Sequence, residues 1–161
     1  MSIVVFFDLG ETLVIPRLSD NGSLLELKVL PFVPDVLEKL RGTEINNVKL
    51  RLGVISNTGE ETLARMRFVM AEARLLDFFD PALLLFSSVE GIDKRQKQFF
   101  ERAVQRSGAR PEQCIYVGED EVERRTAESA RLRTSFHPLH VFHVIDLIAQ
   151  MCVSGSGRRP S

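Results

Sequence analysis

The feature that most constrains the fold is a continuous apolar run near the N-terminus that ends in an acidic residue. Residues Ile3 to Phe7 read IVVFF, and Asp8 follows directly. A run of β-favouring residues without polar alternation is typical of a strand buried on both faces, as at the centre of a parallel sheet. Ligands of open α/β sheets bind beyond the carboxyl ends of the strands. We therefore expect Asp8 at a binding site, next to the flexible backbone of Gly10. An ordinary turn after a strand is the alternative.

The rest of the chain alternates between predicted strands and helices. Further strands are predicted over residues 49–55, 83–86, 113–117 and 134–136. Helices are predicted over residues 34–41, 60–75, 122–132 and 141–151, and from a cap at Asp93 to about Gly108. This alternation indicates a three-layer, Rossmann-like α/β fold, a parallel sheet with helices on both faces. Asn21-Gly22 between two apolar runs predicts a small β-hairpin flap over residues 13–18 and 24–29.

The composition fits one soluble globular domain. A length of 161 residues predicts a single domain over residues 1–152, followed by a disordered tail over residues 153–161. A net charge of −1 and the absence of a basic stripe argue against nucleic acid or an anionic membrane as a partner. Two cysteines make neither a disulfide framework nor a zinc site. The apolar N-terminus is too short for a signal peptide, so we expect a cytoplasmic protein.

Four short motifs occur in an order that resembles the haloacid dehalogenase (HAD) superfamily, which consists mostly of phosphoryl-transfer enzymes. The first motif of that family is Asp-x-Asp-Gly-Thr after an apolar strand, matched here by Asp8 and Thr12. The second is a Ser or Thr that ends another strand, matched by Ser56. The third is a Lys that opens a helix, matched by Lys94, and the fourth is CIYVGED at residues 114–120. Each motif alone is weak evidence, but the occurrence of all four in the order found in the family makes the resemblance fairly specific.

The resemblance covers roughly residues 3–148 and implies a Mg²⁺-dependent phosphatase. Asp8 would be the nucleophile that forms an aspartyl-phosphate. Mg²⁺ prefers oxygen ligands, and the family pattern assigns it to Asp8, the carbonyl of Gly10, and Glu119, Asp120 or both. The alternative for Glu119 and Asp120 is an exposed, charged loop.

The same resemblance implies a phosphate-binding set. Thr12, Ser56 and Asn57 would bind the phosphoryl group of the substrate, and Lys94 would neutralise charge shared between nucleophile and phosphate. Ser56 could instead cap the helix that follows it. Lys94 could instead be a solvated helix residue.

Two departures from the family pattern bear on activity. Gly10 stands where the family has a second Asp, which protonates the leaving group and later activates water. Glu11 is adjacent, and we expect its side chain to point elsewhere. This loss favours slow turnover, or a good leaving group such as that of an acyl or aryl phosphate. In the fourth motif, Glu119 replaces the first Asp, and Arg124 stands where a later Asp is expected.

The hairpin and helices fill the gaps between the motifs, so no cap domain is expected. In the resembled family, an open site serves large substrates or uses a neighbouring subunit as a lid, so a homo-oligomer is one prediction. The leading functional hypothesis is a phosphatase acting on a small or macromolecular phosphorylated substrate. The alternative is a catalytically degenerate relative that serves as a binding or regulatory module. A dehalogenase is disfavoured because that chemistry needs a closed apolar pocket.

Overall fold

In the computed structural model, residues 2–45 and 48–155 are described. The strands are β1 (Ser2–Phe7), β2 (Val14–Leu18), β3 (Leu24–Val29), β4 (Lys49–Ser56), β5 (Leu84–Phe86), β6 (Cys114–Val117) and β7 (Arg133–Ser135). The helices are α1 (Val33–Gly42), α2 (Leu63–Glu72), α3 (Ser87–Glu90), α4 (Lys97–Ser107), α5 (Glu121–Ser129) and α6 (Val141–Gly155). The predicted Rossmann-like α/β fold with a small hairpin is confirmed.

The central sheet has five parallel strands in the order β5-β4-β1-β6-β7. β1 is its middle strand, as the apolar run predicted, because only residues without polar side chains can be buried on both faces. Phe7 pairs with Val54 of β4 and with Val117 of β6. The carboxyl ends of the three strands therefore meet at one edge of the sheet. This is the edge where doubly wound sheets bind ligands.

The side chains of β1 alternate between two apolar cores. Ile3, Val5 and Phe7 pack into a core that includes residues of α1, α2 and α6. Val4 and Phe6 face the other core, which includes residues of α4 and α5. All five side chains are fully buried. The two cores fix the position of the residue that follows the strand, Asp8.

The predicted hairpin is confirmed, and it lies against helix α2. β2 and β3 pair antiparallel, and Gly22 in the turn adopts a positive φ of 83°. The Leu24 N–H donates a hydrogen bond to Glu61 Oε1 at 2.9 Å, and Arg65 donates to the Leu24 carbonyl, also at 2.9 Å. These two bonds hold the start of β3 on the N-terminal end of α2.

Two predicted helix starts are wrong. Helix α2 begins at Leu63, because the hydroxyl of Thr62 accepts the Arg65 N–H and caps the helix there. Asp93 does not cap α4: it accepts the Arg95 N–H in a preceding turn, and the helix begins only at Lys97.

The C-terminal prediction is corrected as well. Helix α6 continues to Gly155, so residues 153–155 of the predicted tail are helical. Residues 156–161 of that tail lie outside the described residues. Within the described chain, no helix is long and apolar enough to cross a membrane. The same residues contain no cap domain: only the hairpin and α1 lie between β1 and β4, and only α2 and short 3₁₀ turns lie between β4 and β5.

Candidate active site

Asp8 lies at the carboxyl end of β1 and is 7% exposed. Its backbone N–H donates to the Val117 carbonyl at 2.9 Å and so continues the pairing of β1 with β6. Its Oδ1 accepts the Leu9 N–H at 2.8 Å and lies 2.8 Å from Lys94 Nζ. Burial raises the pKa of the Asp8 carboxyl above its ordinary value, and the ammonium of Lys94 opposes that shift. No hydrogen-bond partner for Oδ2 exists among the described residues, so this oxygen is available to accept a hydrogen bond from another group.

Lys94 is the charged centre behind Asp8. It is only 3% exposed, so the alternative of a solvated helix residue is wrong. Its Nζ lies 2.8 Å from Glu123 Oε2, the same distance as to Asp8 Oδ1, and donates to the Tyr116 hydroxyl at 3.3 Å. The Tyr116 hydroxyl in turn donates to Glu123 Oε2 at 2.8 Å. A buried ammonium needs such partners, because a buried charge is costly unless it is paired and hydrogen-bonded.

Sequence reasoning missed both Tyr116 and Glu123. Tyr116 is the only tyrosine of the chain and sits in a buried strand, where its hydroxyl needs a partner. The pKa of that hydroxyl is raised, first by burial and then by the negative charges of Asp8 and Glu123. Glu123 occupies the first turn of α5, and its spacing of four residues after Glu119 was the available signal. Arg124, which drew attention instead, donates to the carbonyls of Gly118 and Glu119 at 2.8 and 2.5 Å.

Ser56 and Asn57 end β4 beside this centre. Ser56 is buried, and Thr62, rather than Ser56, caps α2, so the capping alternative does not hold. Asn57 was predicted to bind substrate, but its side-chain Oδ1 accepts the Lys94 N–H at 3.1 Å. Asn57 therefore ties the segment of Lys94 to the end of β4, which positions the lysine for its contact with Asp8.

Thr12 lies in the tight turn after Asp8. It is 3% exposed, and its Oγ1 has no hydrogen-bond partner in the described part of the chain. A buried hydroxyl without a partner costs about 1–3 kcal/mol. The prediction that Thr12 contacts a bound phosphoryl group offers one explanation for an orphaned hydroxyl in this turn.

Carboxylates crowd around the exposed side of Asp8. The pKa of the Glu119 carboxyl is raised, first by a hydrogen bond with the Glu11 carboxyl, then by burial, and then by the negative charges of Glu11, Asp8 and Asp120. The carboxyl of Glu11 is therefore close to that of Glu119. The expectation that the Glu11 side chain does not replace the missing acid stays a prediction. Glu119 and Asp120 are both exposed. Asp120 Oδ1 accepts the Glu123 N–H at 2.9 Å and caps α5.

Comparison with known proteins identifies the fold. No family model matches the sequence, and no curated protein does. An uncharacterized protein from Listeria monocytogenes superposes with a TM-score of 0.74 at 15% identity, covering 92% of this chain and 99% of that one. A HAD-superfamily hydrolase of subfamily IA from Geobacter sulfurreducens gives 0.65 at 14% identity, with coverage of 89% and 100%. A Lactobacillus plantarum protein that is provisionally described as a phosphoglycolate phosphatase superposes with a TM-score of 0.63 at 10% identity. The coverage is again 89% of this chain and 100% of that one.

The chain has a HAD-like fold. The resemblance stated from the four motifs is thereby confirmed at the level of the fold.

The HAD-like fold makes the departure in the first motif interpretable. Glu11 adopts a positive φ of 60°, at the position where the family motif has glycine. A left-handed backbone is unfavourable for a residue with a Cβ, and such conformations cluster at functional sites. A Cβ added to Gly10 would have no neighbouring atom within 4 Å. The structure therefore has room at position 10 for the side chain of the acid that the family motif has there.

The donors at this edge of the HAD-like fold suit a hard cation. Asp8, Glu119 and the carbonyl of Gly10 have oxygen atoms that could serve as ligands, and a divalent cation would offset the neighbouring negative charges that contribute to the raised pKa of Glu119. Within residues 2–45 and 48–155, no group of three or more metal-ligating side chains is arranged around one point. Mg²⁺ is commonly held by only one or two carboxylates together with waters and substrate phosphates, so this donor set fits it. Because Asp120 caps α5, it fits less well than Glu119.

A cavity of about 680 Å³ opens beside Asp8, between the hairpin and the β4–α2 connection. Leu9 and Gly10, which follow Asp8 in the chain, line it together with Ser56 and Asn57, whereas Asp8 itself does not. Three of the sequence-predicted site residues, Gly10, Ser56 and Asn57, therefore line the cavity.

Proposed function

We propose that the protein is a phosphomonoester hydrolase that works through an aspartyl-phosphate at Asp8. One observation carries the proposal: a buried carboxylate at the carboxyl end of the central strand is paired with a buried lysine and keeps one oxygen unpartnered. In a purely structural ion pair, both oxygens of a buried carboxylate would be expected to have partners. The HAD-like fold and the phosphatases among its structural neighbours support the same chemistry.

In the first step, Asp8 Oδ2 attacks the phosphorus atom and the ester P–O bond breaks. The leaving oxygen departs with the electron pair of that bond and takes a proton from solvent. Lys94 holds the Asp8 carboxylate by Oδ1, which directs Oδ2 outward, and its charge offsets the negative charge gathered at the site. Glu123 and Tyr116 keep that ammonium in place.

In the second step, a water molecule attacks the phosphorus of the aspartyl-phosphate. The acyl phosphate P–O bond breaks, Asp8 leaves as a carboxylate, and inorganic phosphate forms with the protons of the water. Bound Mg²⁺, held by Asp8, Glu119 and the Gly10 carbonyl, would supply charge neutralisation to the phosphoryl oxygens. Thr12 and Ser56 would donate hydrogen bonds to those oxygens.

The chain supplies no acid at position 10, so substrates with a good leaving group are favoured. General acid catalysis contributes about 10²–10⁴-fold to a rate. An aryl or acyl phosphate needs that help least, because its leaving group is stable as an anion. We propose a phosphorylated compound, small or macromolecular, as the substrate. We also propose that a neighbouring copy of the chain covers the site as a lid.

The test is hydrolysis of phenyl phosphate and acetyl phosphate, with Mg²⁺ and with a chelator. We expect metal-dependent turnover by the native protein and none by Asp8→Asn. Asp146→Asn, an exposed aspartate on α6, is the matched control and should retain turnover. Equal turnover by Asp8→Asn would refute the assignment of the nucleophile.

The second candidate is a phosphate-binding module without turnover. Gly10 is the observation that favours it, because the missing acid slows any chemistry at Asp8. Folded protein that binds inorganic phosphate in a Lys94-dependent manner, and hydrolyses neither compound, would establish this function instead.

A further inference from the structure

We propose that the cavity beside Asp8 receives the organic group of the substrate, and that this group is partly apolar and carries no negative charge of its own. This inference rests on the proposed phosphatase function and specifies its substrate class. A ligand held there would have its phosphoryl group at Asp8 and its remaining atoms between the hairpin and α2.

The position of the cavity links it to the reacting atoms. Gly10 and Ser56 line the cavity and also flank the end of β1 and β4 where Asp8 lies. A phosphoryl group bound at Asp8 would therefore lie next to Gly10 and Ser56, which belong to the cavity wall. The volume of about 680 Å³ lies in the range of small-molecule sites, roughly 300–1,000 Å³. A ring with substituents fits, so a small-molecule substrate is favoured over a macromolecular one.

About half of the cavity wall is apolar. Side chains from both strands of the hairpin, from the turn after β1 and from α2 contribute, namely Leu9, Val14, Pro16, Leu24, Leu27 and Met66. Most of these are buried. An organic group that enters this space removes apolar surface from water, which favours a carbon-rich substrate.

The charges along the lining all have one sign. Glu60 and Glu61 are the ionisable side chains that line the cavity, and no Lys, Arg or His of the described chain does so. Glu61 Oε1 accepts the Leu24 N–H, while Glu60 is exposed at the rim. Arg65, the basic residue beside them, is turned to the carbonyls of Leu24 and Leu25 instead.

A second anionic group on the substrate would therefore meet repulsion and find no cationic partner. Desolvating an unpaired carboxylate is costly, so the lining disfavours a phosphorylated hydroxy acid or a bisphosphate. A neutral group meets no such penalty, and an ammonium would be attracted to Glu60.

The experiment compares three aryl phosphates whose leaving groups have similar acidity: 4-ethylphenyl, 4-(carboxymethyl)phenyl and 4-(2-aminoethyl)phenyl phosphate. We expect kcat/KM for the carboxymethyl compound to be lower than for the ethyl compound by about tenfold or more. The aminoethyl compound should equal or exceed the ethyl compound. Glu60→Lys should reduce the discrimination against the carboxylate by about tenfold. Glu72→Lys is the matched control, an exposed glutamate of α2 that does not line the cavity, and should leave the ratio unchanged.

The outcomes separate this inference from the proposed function. Hydrolysis of all three compounds at equal efficiency, unaffected by Glu60→Lys, would overturn the inference and leave the phosphatase proposal intact. If none is hydrolysed, the phosphatase proposal fails, and calorimetric binding of the same three compounds tests the cavity directly. The affinities should then follow the same order, and equal affinities would overturn the inference.

Discussion

Lys94 Nζ and Asp8 Oδ1 lie 2.8 Å apart in a site that is almost closed to water. The lysine carries a second carboxylate, Glu123, at the same distance. One positive charge therefore stands between two negative ones, and the balance among the three sets both the chemistry of Asp8 and the stability of this end of the sheet.

Replacement of Asp8 by Asn should abolish turnover without destabilising the fold. The pKa of Asp8 is raised in the folded protein, so the folded state binds the proton more tightly than the unfolded state. The carboxyl therefore favours folding at low pH, and this contribution is lost as pH rises through the unfolded and then the folded pKa. At pH 7 the charged carboxylate lowers the free energy of unfolding. The free energy of unfolding of Asp8→Asn, measured in urea, should therefore equal that of the wild type or exceed it by up to about 1 kcal/mol. A loss of more than about 2 kcal/mol would show that pairing with Lys94 outweighs burial.

Replacement of Lys94 by Met should destabilise the protein strongly. Asp8 and Glu123 would then be buried without a cation, and breaking such a pair costs about 3–5 kcal/mol. Urea unfolding at pH 7 measures the effect. Lys97→Met, which removes an exposed ion pair with Glu101, should cost less than about 1 kcal/mol.

A second variant separates the charge effect from loss of packing. Addition of Glu123→Gln to Lys94→Met removes one of the two unpaired charges and should recover part of the lost stability. If the double variant is as unstable as Lys94→Met alone, electrostatics do not explain the role of the lysine.

Introduction of Asp at position 10 should raise activity. The space around Gly10 is open, and the HAD-like fold places an acid there in the family motif. General acid catalysis would raise kcat for an alkyl phosphate by about 10²-fold or more, with a smaller gain for an aryl phosphate. Gly10→Ala adds the same Cβ without the carboxyl and should give no gain. An unchanged kcat in Gly10→Asp would mean that the activity is limited elsewhere.

Two substitutions of Glu11 should separate strain from charge. Glu11→Gly removes the Cβ from a backbone with φ of 60° and should stabilise the protein by about 1 kcal/mol. Glu11→Gln keeps the Cβ and should not stabilise it in this way. Both variants remove the carboxyl that faces Glu119, so both should lower the pKa of Glu119 in a carbon-13 NMR titration. A pKa of Glu119 that stays unchanged in both would contradict the contact between these two side chains.

The fold could be predicted from the sequence where a short local pattern determines the structure. The uninterrupted apolar run before Asp8 could be buried only in a central strand, which fixed both the sheet and its functional edge. Asn21-Gly22 fixed the hairpin in the same way. Lys94 was located through its spacing from the other motifs, although the helix it was thought to open begins three residues later, at Lys97.

The remainder depends on contacts that no local pattern encodes. Glu123 reaches Lys94 only because α5 begins at Glu121 and turns its first residues toward β6. Glu11 adopts a left-handed backbone, a conformation that a glutamate in the sequence does not indicate. The role of Asn57 likewise rests on where its amide carbonyl meets the chain before Lys94.

The hairpin is attached to the N-terminal end of α2 through the backbone of Leu24, whose N–H is bound by Glu61 and whose carbonyl is bound by Arg65. Because these hydrogen bonds use backbone atoms of Leu24, they do not require particular side chains at the neighbouring positions of the hairpin. Apart from Gly22, whose φ is positive, the turn residues 19–23 can therefore be exchanged without loss of these two hydrogen bonds. Substitutions in the turn could in this way change one wall of the cavity while the sequence of the central sheet stays the same.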